Sequence, residues 1–105
     1  MAQFAVYRNP NAETRATYPL LLDVQSELLG DLDTRVVVPL CPAPALRNRL
    51  MNTLTPLLQI EGDAYAMLTP QLAGIAKRQL GEQVADASPR RDAIIAALDM
   101  LITGI

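Results

Sequence analysis

Few side chains of this sequence could do chemistry. The chain has no histidine and one cysteine, Cys41, so it has no Ser-His or Cys-His nucleophile pair and no intramolecular disulfide. Asp23 and Glu27 could form an acid–base pair, but no regular spacing aims both at one point, and we expect both to be solvated. Cys41 lacks partners for a zinc ion and is expected to be a packed or idle side chain. We therefore expect no catalytic residue, no metal, no cofactor and no enzymatic activity.

The charged residues argue against a nucleic-acid binder. Lys and Arg number 9 and Asp and Glu number 11, which gives a net charge of −2, whereas phosphate neutralisation needs clustered cations. Lys77 is the only lysine, so the other cations are arginines, which suit specific forked contacts. Arg90 and Arg91 come at the start of a predicted helix, where the helix dipole disfavours cations. They either form a contact surface or pair with Asp86 or Glu82.

The positions of apolar residues predict six short strands and one helix. Alternation of apolar and polar side chains indicates strands, and clusters of Pro, Gly, Asn and Asp indicate turns. The predicted strands cover residues 3–8, 18–25, 34–40, 57–60, 64–68 and 75–80. Residues 9–17 are a predicted surface loop, and Glu61-Gly62-Asp63 is a predicted three-residue hairpin turn.

Proline and glycine set the expected ends of several elements. Pro39 has no N–H to donate, so we expect it to end its strand or to lie at a sheet edge. Residues 41–44 are expected to be a loop. Thr69-Pro70 predicts the start of a short helix, which Gly74 ends.

The C-terminal helix has the clearest pattern. Ser88 is its predicted N-cap, Pro89 its first residue and Gly104 its end. Its apolar stripe consists of Ile94, Ile95, Leu98, Leu101, Ile102 and Ile105. Because this stripe is broad for so small a domain, we expect part of it to pack on a second copy of the chain.

Length and composition fit one domain over residues 1–105. Half of the residues are hydrophobic, which is enough for one modest core. The chain does not start with a basic segment and a long apolar stretch, and no apolar run reaches the ~20 residues that span a bilayer. We expect a cytoplasmic protein without membrane contact, built as a small antiparallel barrel-like sheet with one packed helix.

Five segments are specific in combination and order. They are Gln3-Phe4-Ala5-Val6-Tyr7, Leu22-Asp23-Val24-Gln25-Ser26, Val38-Pro39-Leu40, Gly81-Glu82-Gln83-Val84-Ala85-Asp86 and the final Gly104-Ile105. Spread over essentially the whole chain, they resemble the CcdB family, the toxins of type II toxin–antitoxin modules. The resemblance implies a mainly β fold with a C-terminal helix: an SH3-like antiparallel barrel with a small three-stranded extension.

The resemblance also implies a function and its residues. Family members bind the DNA gyrase A subunit, trap the cleaved gyrase–DNA complex, form homodimers and are neutralised by a CcdA-like antitoxin. They reach DNA only through gyrase or the antitoxin complex. The implied gyrase-binding residues are Gln3, Phe4, Tyr7, Ser26, Leu28, Leu29, Asp99, Thr103, Gly104 and Ile105, and the implied dimer residues are Leu98, Leu101 and Ile102. Thr103 stands where the best-known member has tryptophan, and Ala76 where it has proline.

Two other functions stay open at the level of sequence. Endoribonuclease toxins of the MazF and Kid type share this barrel, and Arg35, Arg47, Arg49 and Arg78 could line a phosphate groove. The acidic net charge and the lack of histidine argue against that function. A relative that binds only the antitoxin and is not toxic is the third alternative.

Overall fold

The computed structural model describes residues 2–43 and 53–104. Within these ranges the chain forms seven strands and one α-helix. They are β1 (Ala5–Arg8), β2 (Leu20–Asp23), β3 (Thr34–Pro42), β4 (Leu57–Ile60), β5 (Asp63–Met67), β6 (Ala73–Ala76), β7 (Gln83–Asp86) and α1 (Arg91–Thr103). Short 3-10 turns lie at Glu27–Leu29, Thr69–Gln71, Lys77–Gln79 and Ser88–Arg90.

The seven strands form one antiparallel sheet. Their order is β4-β5-β3-β2-β1-β7, and β6 pairs with β3 outside this path. The nine-residue β3 is central, because its first half pairs with β6, its last residues pair with β5 and its other edge pairs with β2. The sheet curls strongly into a half-barrel, and α1 buries Ile94 and Ala97 in the core. The predicted mainly β fold with a C-terminal helix is confirmed, and it is consistent with an SH3-like barrel.

Pro39 lies inside β3 and does not end it. The strand continues through Cys41 and Pro42, so the predicted loop is wrong for these two residues, and Pro44 falls outside the described residues. The Pro39 carbonyl accepts a hydrogen bond from the Leu68 N–H at 3.1 Å. The nitrogen and carbonyl of one strand residue point to the same side, so the missing N–H faces the gap where β3 changes partner from β6 to β5. Pairing with β2 is therefore unaffected.

The segment after β5 differs from its prediction in two places. Gly74 does not end a helix, because it lies in β6 opposite Val36. The strand predicted over residues 75–80 is displaced, since β6 ends at Ala76 and a 3-10 turn follows. The sequence patterns also missed β7, which has exposed residues at both ends and half-buried ones between them. This four-residue strand has no period-two alternation, and it exists because β1 offers it a free edge.

The β4–β5 hairpin is confirmed with a shorter turn than predicted. Ile60 pairs with Asp63, so the turn itself contains Glu61 and Gly62. Their φ angles are 52° and 87°. Two-residue turns with positive φ at both positions match the right-handed twist of the strands they join.

The helix α1 begins later than predicted and ends where predicted. The Ser88 N–H and hydroxyl both donate to the Asp86 carboxylate at 2.9 Å. Ser88 therefore opens a 3-10 turn and does not cap α1, which begins at Arg91. Gly104 adopts the left-handed conformation with φ 74°, and its N–H donates to the Met100 carbonyl at 3.0 Å, so the predicted helix end is confirmed.

Two glycines provide a matched test of this packing. A Cβ added to Gly81 would lie 2.7 Å from the Arg8 carbonyl oxygen, whereas a Cβ added to Gly74 would meet nothing within 4 Å. We expect Gly81→Ala to cost about 1–3 kcal/mol, because backbone must move to relieve the clash. Thermal unfolding of both variants checks this, and Gly74→Ala, the control, should unfold close to wild type. Equal unfolding temperatures would contradict the close approach at Gly81.

Candidate functional site

A fully buried ion pair lies beneath the surface that carries several predicted site residues. Arg35 Nε donates to Asp23 Oδ2 at 2.7 Å and Arg35 Nη2 donates to Asp23 Oδ1 at 2.9 Å, with both side chains inaccessible to solvent. The expectation that Asp23 is solvated is therefore wrong, while Glu27 is exposed as expected. The error arose because β2 is buried on both faces, which alternation along one strand does not reveal.

Tyr7 lies close to this pair. Its side chain is buried, with 5% of its surface exposed. Burial raises the pKa of the Tyr7 phenol above its ordinary value, and the Asp23 carboxylate raises that pKa further. Arg35 and a hydrogen bond with the Ala2 backbone oppose part of this shift in pKa. Burial thus keeps the phenol neutral.

Gln25 links the ion pair to the backbone that follows β2. Its N–H donates to Asp23 Oδ1 at 3.0 Å, and its carbonyl accepts from Arg35 Nη2 at 3.1 Å. The side-chain oxygen accepts from the Val36 N–H at 2.9 Å, and Nε2 donates to the Leu29 carbonyl at 3.1 Å. A buried polar side chain with this many partners is held in one orientation.

The 3-10 turn Glu27–Leu29, here called the leucine turn, presents apolar side chains to solvent. Leu28 is 95% exposed and Leu29 is 49% exposed. The Ser26 hydroxyl caps the turn by accepting a hydrogen bond from the Leu28 N–H at 3.2 Å. An almost fully exposed leucine next to a half-exposed one is a feature of contact surfaces when the neighbouring residues are polar.

A polar cleft of about 420 Å³ adjoins the leucine turn. It is lined by Gln3, Phe4, Ser26, Glu27, Leu28, Ser88 and Arg91. The buried Phe4 has a φ of 71°, a strained backbone conformation for a bulky residue. Two backbone hydrogen bonds hold it: the Phe4 N–H donates to the Asp23 carbonyl at 2.6 Å, and the Phe4 carbonyl accepts from the Ala87 N–H at 2.8 Å. Such strain concentrates at functional sites. The sequence contains no signal for it.

The other predicted site residues lie at the far end of α1. Asp99, Thr103 and Gly104 are exposed, and the Thr103 hydroxyl donates to the Asp99 carbonyl at 2.6 Å. Ile105 lies outside the described residues. With a rise of 1.5 Å per residue, the end of α1 is about 18 Å from its start at Arg91, which lines the cleft. One copy of the chain therefore brings together Gln3, Phe4, Ser26 and Leu28, but not the residues at the end of the helix.

The predicted dimer residues differ in exposure. Leu98 and Leu101 are half-buried, and Leu98 packs against the core. Ile102 is 76% exposed. The apolar stripe of α1 thus begins in the core and ends on the surface.

Arg90 and Arg91 do not pair with the acidic residues that the sequence suggested. Arg90 Nη1 donates to the Leu57 carbonyl at 2.8 Å, and the Arg91 guanidinium carbon lies 5.7 Å from the centre of the Phe4 ring. Glu82 instead lies 3.6 Å from Arg8. Arg90 is thus tied to β4, while Arg91 forms part of the cleft.

The described residues offer no sign of metal or thiol chemistry. Within residues 2–43 and 53–104 no cluster of Cys, Asp and Glu could hold a metal ion. Cys41 is buried, and burial raises the pKa of its thiol, which keeps it in the unreactive protonated form.

A second cavity of about 520 Å³, between the 9–18 loop and β6, is lined partly by Tyr18, Pro39 and Arg78.

Comparison with known families decides the relationship that the segments suggested. The family model described as CcdB protein matches residues 3–104. The chain belongs to the CcdB family. CcdB proteins are toxins of toxin–antitoxin modules. In the described part of this CcdB protein, no helix has the length and apolar character needed to cross a bilayer.

The sequence of this CcdB protein gave little sign of the network beneath its surface. Gln25 and Ser26 belong to the segment that carries the resemblance, but the sequence pattern suggests Arg35 only as a candidate for a phosphate groove. One signal could have suggested a buried pair. Arg35 is a lone arginine in a strand of β-branched residues, and it follows a strand aspartate by twelve positions.

The buried pair can be tested by a double-mutant cycle. Arg35→Met leaves the Asp23 carboxylate buried without its partner, so we expect a loss of about 3–5 kcal/mol in the free energy of unfolding. Asp23→Leu combined with Arg35→Met should cost less than the single change, because no charge stays buried. Urea unfolding of Arg35→Met, of Asp23→Leu and of the double variant measures the coupling. Additive losses would show that the two groups do not act as a pair.

Proposed function

We propose that this CcdB protein, as a single toxin domain over residues 1–105, binds the DNA gyrase A subunit and traps the cleaved gyrase–DNA complex. Family membership over residues 3–104 carries the proposal. The mode of action is binding and not catalysis. A cognate CcdA-like antitoxin neutralises the protein, both act in the cytoplasm, and DNA is contacted only through gyrase or the antitoxin complex.

The contact surface proposed for gyrase consists of two regions. The first is the leucine turn with the adjoining cleft, where the 95% exposure of Leu28 supports a role in binding. The second is the end of α1, with Asp99, Thr103, Gly104 and Ile105. Phe4 and Tyr7 are buried, so their proposed contribution is indirect: Phe4 lines the cleft, and Tyr7 lies close to the Asp23–Arg35 pair.

Thr103 changes how the second region would bind. The family's best-known member has tryptophan here, and a large aromatic residue is a typical hot spot. The Thr103 hydroxyl donates its one proton to the Asp99 carbonyl, so it can offer a partner only its acceptor lone pairs and no aromatic surface. We therefore infer that Leu28 and Leu29 supply a larger share of the binding free energy in this protein.

The proposed assembly is a homodimer that uses the surface end of the α1 stripe. Leu98, Leu101 and the 76%-exposed Ile102 form the candidate interface. An apolar residue this exposed at the end of an amphipathic helix is explained by a second copy that covers it. A dimer would also present two copies of each gyrase-contacting region.

The ribonuclease alternative loses one of its groove residues. Arg35 is fully buried and bound to Asp23, so it does not reach a phosphate. Arg78 is exposed, while Arg47 and Arg49 lie outside the described residues. A non-toxic relative that binds only antitoxin stays the alternative that experiment must separate.

Purified protein tests the proposal directly. With gyrase and DNA it should accumulate protein-linked DNA breaks, and incubated with RNA it should leave the RNA intact. Induced expression should arrest cells that carry sensitive gyrase and spare cells with a resistant gyrase A subunit. Antitoxin binding without breaks or arrest would identify the non-toxic relative, and RNA cleavage would identify the ribonuclease.

Leu28→Ala tests the role of the leucine turn. We expect gyrase affinity to fall by about 1.5–3 kcal/mol, roughly tenfold to a hundredfold, because one buried aliphatic contact is lost. The unfolding temperature should not change, since Leu28 packs on nothing in the free protein. Calorimetric titration with the gyrase A subunit measures the affinity. Leu32→Ala is the control, because Leu32 is 49% exposed and is not among the proposed contacts; an equal loss in both variants would contradict a specific role for Leu28.

Sedimentation equilibrium tests the dimer. Wild-type protein at micromolar concentration should have twice the chain mass of 11.4 kDa. Ile102→Glu should shift it towards monomer, because a charge would be desolvated in the interface. Leu32→Glu should leave the dimer intact. A wild-type mass of one chain would overturn the proposed assembly.

A further inference from the structure

We propose that Gln25, oriented by the buried Arg35–Asp23 pair, is a positioning residue that holds the leucine turn in its binding geometry. The identity of the partner rests on the proposed function. The positioning itself rests only on contacts among the described residues. Through Gln25, the ion pair in the core determines the geometry of a turn at the surface.

The leucine turn cannot hold its own orientation. It is a single 3-10 turn of three residues with none of them buried, so packing contributes little to its position. The cap from Ser26 and the turn's own backbone hydrogen bonds define its shape. They do not define its direction relative to the sheet. That direction depends on anchors from outside the turn.

Two side chains provide these anchors. Gln25 Nε2 donates to the Leu29 carbonyl in the turn at 3.1 Å, and Lys77 Nζ donates to the carbonyl of Gly30, the residue directly after the turn, at 2.6 Å. Lysine is a flexible, half-buried anchor. Gln25 is 6% exposed and is therefore the rigid one.

The orientation of Gln25 is determined by its other partners. The Val36 N–H binds its side-chain oxygen, and because the amide group is planar, this also fixes the direction in which Nε2 donates. Its main chain is bound on both sides by the ion pair, through the N–H to Asp23 and through the carbonyl to Arg35. Hydrogen bonds to the main chain and from the side chain of Gln25 thus connect the buried charges to the Leu29 carbonyl.

Stability alone does not account for the pair. Buried ion pairs are often no more stabilising than apolar residues of similar volume. Among the described residues, Arg35 Nη1 has no hydrogen-bond partner, which adds an unfavourable contribution. Apolar side chains could fill the same volume, but they could not bind the main chain of Gln25. The pair therefore serves to fix the orientation of Gln25.

The test compares two changes at Gln25 in the full chain. Gln25→Glu keeps the shape and the acceptor for Val36 but removes the donor to Leu29, and Gln25→Met removes both. Backbone order parameters from ¹⁵N relaxation report the leucine turn without any partner, and titration with the gyrase A subunit reports binding. Leu58→Ala is the control for general destabilisation, because Leu58 is fully buried in β4, which two strands separate from β2 and the turn that follows it.

We expect the order parameters of Leu28 and Leu29 to fall from about 0.85 to below ~0.6 in both Gln25 variants. The amides of β3 should keep their values, and gyrase affinity should fall about five- to tenfold, the effect of one hydrogen bond. Leu58→Ala should lower the unfolding temperature and leave the turn ordered.

Other outcomes overturn the proposal. Unchanged order in Gln25→Glu, or equal loss of order in Leu58→Ala, would show that Gln25 does not position the turn. If one Gln25 variant does not fold, the other decides; if neither folds, Gln25 is a core residue and the proposal is wrong. A wild-type protein that does not bind gyrase overturns the proposed function, and the order parameters then decide the positioning alone.

Discussion

A carboxylate and a guanidinium without access to water lie at the centre of this protein. Asp23 ends β2 and Arg35 lies in the neighbouring β3, and each satisfies the charge of the other. Buried charges are tolerated only where hydrogen bonds surround them. Hydrogen bonds thereby connect the end of β2 to Gln25, and Gln25 to Leu29 at the end of the leucine turn. The geometry of the surface above the pair therefore depends on this constraint in the core.

Several arginines in the described part of the chain have specific partners within the protein. Arg35 is buried, Arg90 binds the Leu57 carbonyl, and Arg91 lies over the Phe4 ring. Forked guanidinium groups suit such fixed partners better than lysine does.

Among the described residues, the exposed large apolar side chains are Leu28, Leu29, Leu32 and Ile102. The three leucines lie in or just after the leucine turn, which adjoins the cleft at the start of α1, and Ile102 lies near the end of the helix, about 16–17 Å from its start. These two places carry the proposed gyrase contact and the proposed dimer interface.

Elements that depend on local chemistry are predictable from the sequence. The β4–β5 hairpin, the apolar stripe of α1 and the helix end at Gly104 follow from turn residues and periodicity, and the order of short segments identified the family. Three outcomes depend on the folded chain: Asp23 is buried while Glu27 is exposed, Arg35 is a core residue, and Pro39 is accepted inside a strand. These outcomes depend on which side chains meet across strands and on where β3 changes partner. Such pairings join residues far apart in the chain, and no local pattern specifies them.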